Sequence, residues 1–284
     1  MFNFEQELNI QLNSLAKLKG FLIDQLKNEI AYERFLARMN YKQVTIKGGY
    51  AVRSQLESSP YTRDIDMIIL EKEISDNSAK QIYAIRDWVN EQLYRNQIDD
   101  NFRFDLGEPL SFIDLKPHEA AVRISVRTYI NNSSERFTTF PIDIAIVNNN
   151  ILPPNIITIS NSLNLINTNS FKISVVPPEQ LFADKLLIYL RSYNQNRVGD
   201  IVHMTLLSER KLDIKKIIFV LNELVIKGTE PIDQILKPLI KPPDSWFKIF
   251  AKIMPKEKDI DLDQAFEIIN NIYKQILESE LPVL

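Results

Sequence analysis

The segment Asp64-Ile65-Asp66-Met67-Ile68-Ile69-Leu70 constrains this chain more than any other. It alternates at first and then becomes continuously apolar, the profile of a strand buried on both faces of a sheet. Side chains on a strand repeat with a period of two, so Asp64 and Asp66 leave the same face with Cα atoms about 7 Å apart. Carboxylates at the head of a buried strand are costly unless a positive group meets them. Fourteen residues separate this pair from Gly48-Gly49, in a chain that holds only 6 glycines where ordinary usage of about 7% would give roughly 20. The spacing predicts a strand at Val44-Thr45-Ile46, a glycine turn, a short helix over Ala51 to Leu56 and then the acidic strand.

Composition narrows what could meet those carboxylates. The 284 residues are 45% apolar, with 34 basic and 37 acidic side chains, 2 histidines and no cysteine. That apolar content supports a buried core and argues against disorder. Without cysteine there is no disulfide, thiolate nucleophile or thiolate metal site, and His118 and His203 cannot supply a histidine-rich zinc centre. A net charge of −3 gives no global attraction for nucleic acid or membrane. The start, Met1-Phe2-Asn3-Phe4-Glu5-Gln6-Glu7, carries no leader-like pattern, and the longest apolar runs, such as Ile217 to Leu221, are too short to span a bilayer. The expectation is a cytoplasmic protein without a membrane segment.

Periodicity organises the rest. Residues 5 to 40 carry apolar positions at helical spacing, and 78 to 96 read as a further helix. Ala121 to Ile130 alternates, Asn131-Asn132-Ser133-Ser134 is a turn, and Phe137 to Val147 returns as a strand, so the two form a hairpin. Pro177-Pro178-Glu179 marks the start of a helix over Gln180 to Arg191. Further helices are expected near 200 to 208, 213 to 226, 245 to 253 and 261 to 279. The fold class is α+β, a mixed sheet flanked by helices. Residues 1–150 form the N-terminal helices and sheet core, and 151–284 a polar, proline-bearing linker and a helical C-terminal domain.

Oxygen-only ligands favour Mg²⁺ or Mn²⁺ at Asp64 and Asp66. Asp143, alone in the apolar run Ile142 to Val147, is either a third metal ligand or the ion-pair partner of Arg123 or Arg127 on the neighbouring strand. Three carboxylates on adjacent strands form the framework of two-metal phosphoryl transfer. Glycine at 48 and 49 lets backbone N–H groups approach a triphosphate without a Cβ in the way. Lys185, with Leu181, Ile188 and Tyr189 at helical spacing, either snorkels or enters a cleft to meet an anion. Asp200 either caps its helix or belongs to that cleft. Arg191 and Arg197 flank the region and are candidates for phosphate, and His203 reads as a partly buried structural histidine.

Lys47-Gly48-Gly49-Tyr50-Ala51-Val52 followed by Thr62-Arg63-Asp64-Ile65-Asp66 resembles the first motif of nucleotidyltransferases of the DNA polymerase beta superfamily. The finer pattern is similar to the AbiEii/AbiGii toxin family. It is carried by Glu33-Arg34-Phe35-Leu36-Ala37-Arg38, by Pro178-Glu179 with Lys185-Leu186, and by Arg197-Val198-Gly199-Asp200. The resemblance implies a nucleotidyltransferase fold and a metal-dependent enzyme that moves NMP from an NTP to an acceptor hydroxyl with release of pyrophosphate. It implies that Gly48 and Gly49 hold the phosphates, that Asp64 and Asp66 bind metal, that Lys185 contacts the triphosphate and that Asp200 is needed for activity. Asp143 falls where the superfamily has a third carboxylate that this subgroup does not always use. Where the superfamily often has Gly-Ser, this chain has Gly-Gly.

The resemblance further implies a bacterial toxin of a toxin–antitoxin or abortive-infection pair, a cognate antitoxin partner and tRNA 3′ ends as acceptor. Seven lysines between Lys227 and Lys258, interleaved with Trp246, Phe247 and Phe250, are either an RNA-binding surface or a helix with one core face and one solvated face. Transfer to a protein or small molecule, and a non-catalytic nucleotide-binding module, are the alternatives.

Overall fold

The structure of the chain, a computed structural model, describes residues 4–56, 59–70, 81–96, 98–116, 119–131, 133–160, 163, 165, 169–192, 197–226 and 237–280. Two helices open it, α1 (Phe4–Lys19) and α2 (Ile23–Leu36). Strand β1 (Val44–Lys47) then runs directly into α3 (Gly48–Gln55), and β2 (Ile65–Leu70) is the acidic strand. After α4 (Gln81–Arg95) come β3 (Phe102–Leu106), β4 (Leu110–Lys116), β5 (Glu119–Ile130) and β6 (Arg136–Val147), followed by β7 (Asn155–Ile159) and β8 (Phe171–Val175). The C-terminal part is helical: α5 (Pro178–Ser192), α6 (Val198–Ser208), α7 (Ile214–Ile226), α8 (Phe247–Ile253) and α9 (Leu262–Glu280). Residues 78–80, Asn132, His118 and the 227–236 part of the lysine-rich stretch lie outside the described residues.

Among the described residues, eight strands form one mixed sheet in the order β3-β5-β6-β2-β1-β8-β7, with β4 also paired to β5. The expected hairpin is β5 and β6, antiparallel from Ala121↔Ala145 to Tyr129↔Arg136. Strand β2 runs parallel to β6 and antiparallel to β1, and its core residues Ile65, Met67 and Ile69 are fully buried, as its apolar run demands.

Four strands were not expected from periodicity. β3 and β8 alternate strictly, as Phe102-Arg103-Phe104-Asp105-Leu106 and Phe171-Lys172-Ile173-Ser174-Val175, which is the signal that marks them. The stretch read as a linker therefore supplies β7 and β8, and β8 pairs in parallel with β1 through Thr45↔Ser174 and Ile46↔Val175. One buried apolar cluster joins the sheet to α5, α6, α7 and α9.

One sheet face is sealed by α2 and α3. Tyr32 of α2 meets Tyr50 of α3 and Phe140 of β6 edge to face, with ring centroids 5.7 and 4.8 Å apart. The Glu33 to Arg38 motif anchors this helix. Arg38 donates to both oxygens of Asp100, at 2.9 and 2.6 Å, and to the carbonyls of Arg34, Ile98 and Phe102.

Candidate active site

Register brings four charges into one row. Lys47 lies opposite Asp66, Asp66 opposite Asp143 and Asp143 opposite Arg123. Directly paired residues share a face, so β1, β2, β6 and β5 present Lys47, Asp66, Asp143 and Arg123 side by side, with Asp64 two residues before Asp66. The opposite face of the same strands carries Ile46, Met67, Ile144 and Val122, all buried. Alternation in each strand thus separates the charged face from the core.

Gly48 connects this row to the glycine turn. Its φ is +66° and a Cβ built there would lie 1.7 Å from Asp66 Oδ2, so any side chain at this position is strained on the backbone and must displace the Asp66 carboxylate. The turn and the carboxylate, far apart in sequence, are one site. A Cβ on Gly49 would lie 2.8 Å from Thr62 Oγ1 and 3.7 Å from His203 Cε1. Thr62 Oγ1 donates to Asp64 Oδ1 at 3.0 Å and orients that carboxylate. Backbone N–H groups at the N-terminus of α3 face the same space and favour an anion.

Asp143 is 3% exposed and both its oxygens accept from Arg123, from Nε at 2.7 Å and Nη2 at 2.6 Å. The ion-pair reading of Asp143 is the one this geometry realises, with Arg123 rather than Arg127 as partner. The hydrogen bonds that Arg123 donates to Asp143 raise it above its usual value; burial opposes this, and the charges of Asp143, Asp64 and Asp66 add to the rise. The Arg123 side chain is about one-third exposed, at 34%, so its charge reaches the open side of the row.

The C-terminal helices close the site. Lys185 of α5 is 8% exposed and its Nζ donates to Asp200 Oδ1 at 3.1 Å, so its charge is met by a carboxylate of the neighbouring helix instead of by solvent. Arg197 Nη1 stands 4.0 Å from Asp200 Oδ2. Arg191 is in the last turn of α5, and its buried Nη2 has no hydrogen-bond partner among the described residues. His203, one turn beyond Asp200, is held well below its usual value by burial and then by the charge of Lys185. This places His203 beside Gly49, within the electrostatic reach of Lys185. Sequence periodicity does not single out Thr62, Lys47 or His203 as site residues; Thr62 and Asp64 precede β2, so no strand period links them.

Among the described residues no group of three or more His, Asp or Glu side chains is arranged to hold a metal ion. The donors that suit a hard cation are Asp64 and Asp66, and two carboxylates fit Mg²⁺ or Mn²⁺ when substrate phosphates and water complete the shell. The lysine-rich stretch resolves into its core alternative at the aromatics. Trp246 and Phe250 are 7% and 1% exposed, while Lys241 and Lys258 are paired with Asp263 and Glu209. No described helix is long and apolar enough to cross a membrane.

Comparison with known proteins extends the picture. The model of the family described as nucleotidyl transferase AbiEii toxin, type IV TA system, matches residues 10–268. Similar solved structures include MenT4, a nucleotidyltransferase toxin from Mycobacterium tuberculosis H37Rv, with 15% identity and a TM-score of 0.52 over 89% of this chain and 94% of that one. JHP933 from Helicobacter pylori shows 11% identity and a TM-score of 0.50 over 90% of this chain and 92% of its own. At these identities the likeness is one of fold. No curated protein sequence matches this chain.

Proposed function

This chain belongs to the AbiEii nucleotidyl transferase toxin family of type IV toxin–antitoxin systems, and from that premise we propose that it transfers NMP from an NTP to an RNA hydroxyl, with tRNA 3′ ends as the acceptor. The observation that carries the reading is Gly48 pressed against Asp66: the glycine turn and the carboxylates are one place.

Gly48 and Gly49 leave room for backbone N–H groups to receive the triphosphate, and α3 directs its positive end there. Asp64, oriented by Thr62, and Asp66 are the residues that would hold Mg²⁺ or Mn²⁺; Asp143 stays with Arg123. When bound, such an ion neutralises phosphate charge and activates an oxygen nucleophile. Lys185 supplies a fixed positive charge to the departing pyrophosphate, and Asp200 holds its ammonium in place. Arg191 and Arg197 extend the positive field at the rim. Catalysis here is positioning and charge neutralisation rather than covalent chemistry. The net charge of −3 means that an RNA acceptor relies on local contacts, and a cognate antitoxin is the expected protein partner in the cytoplasm.

The test is incubation with each α-labelled NTP, Mg²⁺ and total RNA, comparing wild type with Asp66→Asn and with a chelator. Label in RNA from wild type, and loss of it by about 10²-fold or more in the variant, is expected. Label on protein or a small molecule would replace the RNA acceptor, and equal transfer by Asp66→Asn would overturn the catalytic assignment.

A further inference from the structure

The face of the sheet that carries the acidic row continues beyond it as an open surface. Along β5, Val122, Ile124, Val126 and Ile130 are fully buried, whereas Arg123, Ser125, Arg127 and Tyr129 between them are half-buried or exposed, as the strand period requires. Phe4 of α1 meets Phe102, and Phe35 of α2 meets Phe104 and Phe140. Those three strand residues pair with Ile130, Thr128 and Val126, so both helices lie on the buried side. Register extends the open side across three strands. Arg127 lies opposite Thr139 of β6 and Asp105 of β3, and Tyr129 opposite Arg103 of β3 and, at a bulge, Arg136 of β6. Arg103, Arg127, Arg136 and Thr139 are exposed.

Charge on this surface is one-sided. Arg103, Arg123, Arg127 and Arg136 stand against Asp105 and Asp143. Asp143 is taken by Arg123 and Asp105 by Arg103 at 2.7 Å. Arg127 and Arg136 have no ion pair among the described residues. The Arg103 guanidinium also lies over the Tyr129 ring, 4.3 Å from its centroid, which makes a flat stacked pair. Unpaired guanidinium groups suit phosphates, and a flat pair suits a base. A single-stranded nucleic acid offers both, whereas a duplex hides its base faces and an acidic protein segment has none. Arg127 and Tyr129 stand about 13 and 20 Å along β5 from Arg123, which shares its row with Asp143 and Asp66.

We propose that this face of β3, β5 and β6 binds the single-stranded end of the acceptor RNA. Arg127 and Arg136 meet backbone phosphates, a base stacks on the Arg103–Tyr129 pair, and the strand runs along β5 towards Asp66. This rests on the nucleotidyl-transfer reading above and adds the surface that holds the acceptor. It also reconciles RNA binding with a net charge of −3, because the positive charge is concentrated where the strand must lie.

The test measures anisotropy of a short fluorescein-labelled single-stranded RNA with a free 3′ hydroxyl over a salt series, and calorimetry of Mg²⁺ with each NTP. Variants of the full chain are Arg127→Gln with Arg136→Gln, Tyr129→Ala and Tyr129→Phe. Lys248→Gln with Lys252→Gln, both exposed, is the control of equal charge change. The arginine pair is expected to weaken RNA binding about tenfold or more and to reduce the slope of log K against log salt by about 1.4, from two phosphates at about 0.7 each. NTP binding and Tm should match wild type. Tyr129→Ala is expected to weaken RNA about fivefold or more, and Tyr129→Phe to stay near wild type. Unchanged RNA binding by the arginine pair, or a loss no larger than that of the lysine pair, overturns the proposal. Displacement of the RNA by poly-glutamate as readily as by unlabelled RNA makes the face a site for acidic protein and overturns it too. A wild type that labels protein or a small molecule and binds no RNA overturns this surface and leaves nucleotidyl transfer standing. One that binds RNA on this face but transfers nothing to any acceptor overturns the reaction and leaves the surface.

Discussion

At the scale of single residues, Gly48 is the most exacting position. Its left-handed backbone costs about 1–2 kcal/mol for an L-residue, and a Cβ at 1.7 Å from Asp66 Oδ2 must displace the carboxylate. Gly48→Ala is expected to lower nucleotidyl transfer by about 10²-fold, the effect of roughly an ångström of misplacement. Gly49→Ala meets Thr62 Oγ1, which can rotate at the expense of its bond to Asp64, so a milder loss of about tenfold is expected. Steady-state rates of the two variants decide this; a Gly48→Ala enzyme as active as Gly49→Ala would sink it. His203 predicts a pH dependence of stability. Its folded-state value lies well below the unfolded one, so between them the unfolded chain binds the extra proton. The stability that neutral His203 allows is full above about pH 6.5 and is lost as pH falls, by up to about 1.4 kcal/mol per unit. Denaturant titrations of wild type and His203→Gln at several pH values should converge towards acid; a difference that stays constant from pH 7 to 5 contradicts it.

At the scale of elements, α2 is tied down by charge as well as by apolar contact. Asp100 has a side-chain exposure of 1% and Arg38 of 4%, and Arg34 stands a further 3.9 Å from the same carboxylate. Arg38→Ala leaves that carboxylate buried with its main partner gone, a loss of about 3–5 kcal/mol, measured as a shift in the urea midpoint. Arg38→Met with Asp100→Leu should be much closer to wild type, because no charge then remains unpaired; equal losses in the two proteins would refute this account. The elements themselves were unevenly legible. The helices from α5 onward and the β5–β6 hairpin follow from period alone. β3 and β8 have the same kind of signal in shorter runs, and β7 follows Pro153-Pro154, where proline reads as a break. Glu33 to Arg38 was legible only as a resemblance, since nothing local says that two arginines will be buried on an aspartate more than 60 positions away.

At the scale of the whole molecule, β1 lies between β2 and β8, so the strand that leads into the glycine turn is completed by a strand from beyond residue 150. The same buried cluster contains β1, β2 and β6 together with α5, α6 and α7. Unfolding by denaturant is therefore expected to be one cooperative transition, coincident by fluorescence of Trp88 and Trp246 and by circular dichroism. Residues 1–150 expressed alone should lack that transition. Two resolved transitions in the full chain, or a cooperative fragment, would show that the two halves fold independently.

Local chemistry determined which groups this protein could use: two carboxylates two residues apart, a pair of glycines and no cysteine, hence oxygen ligands and a backbone free of Cβ atoms beside them. Tertiary structure decided which of them meet. Strand register put Arg123 rather than Arg127 on Asp143, because both arginines share its face but only Arg123 shares its row. Helix docking put Lys185 on Asp200 and His203 beside Gly49, because burial of the apolar faces of α5 and α6 against the core sets where their polar residues emerge. Period and spacing are properties of neighbours along the chain, whereas register and docking depend on long-range packing that no single segment contains.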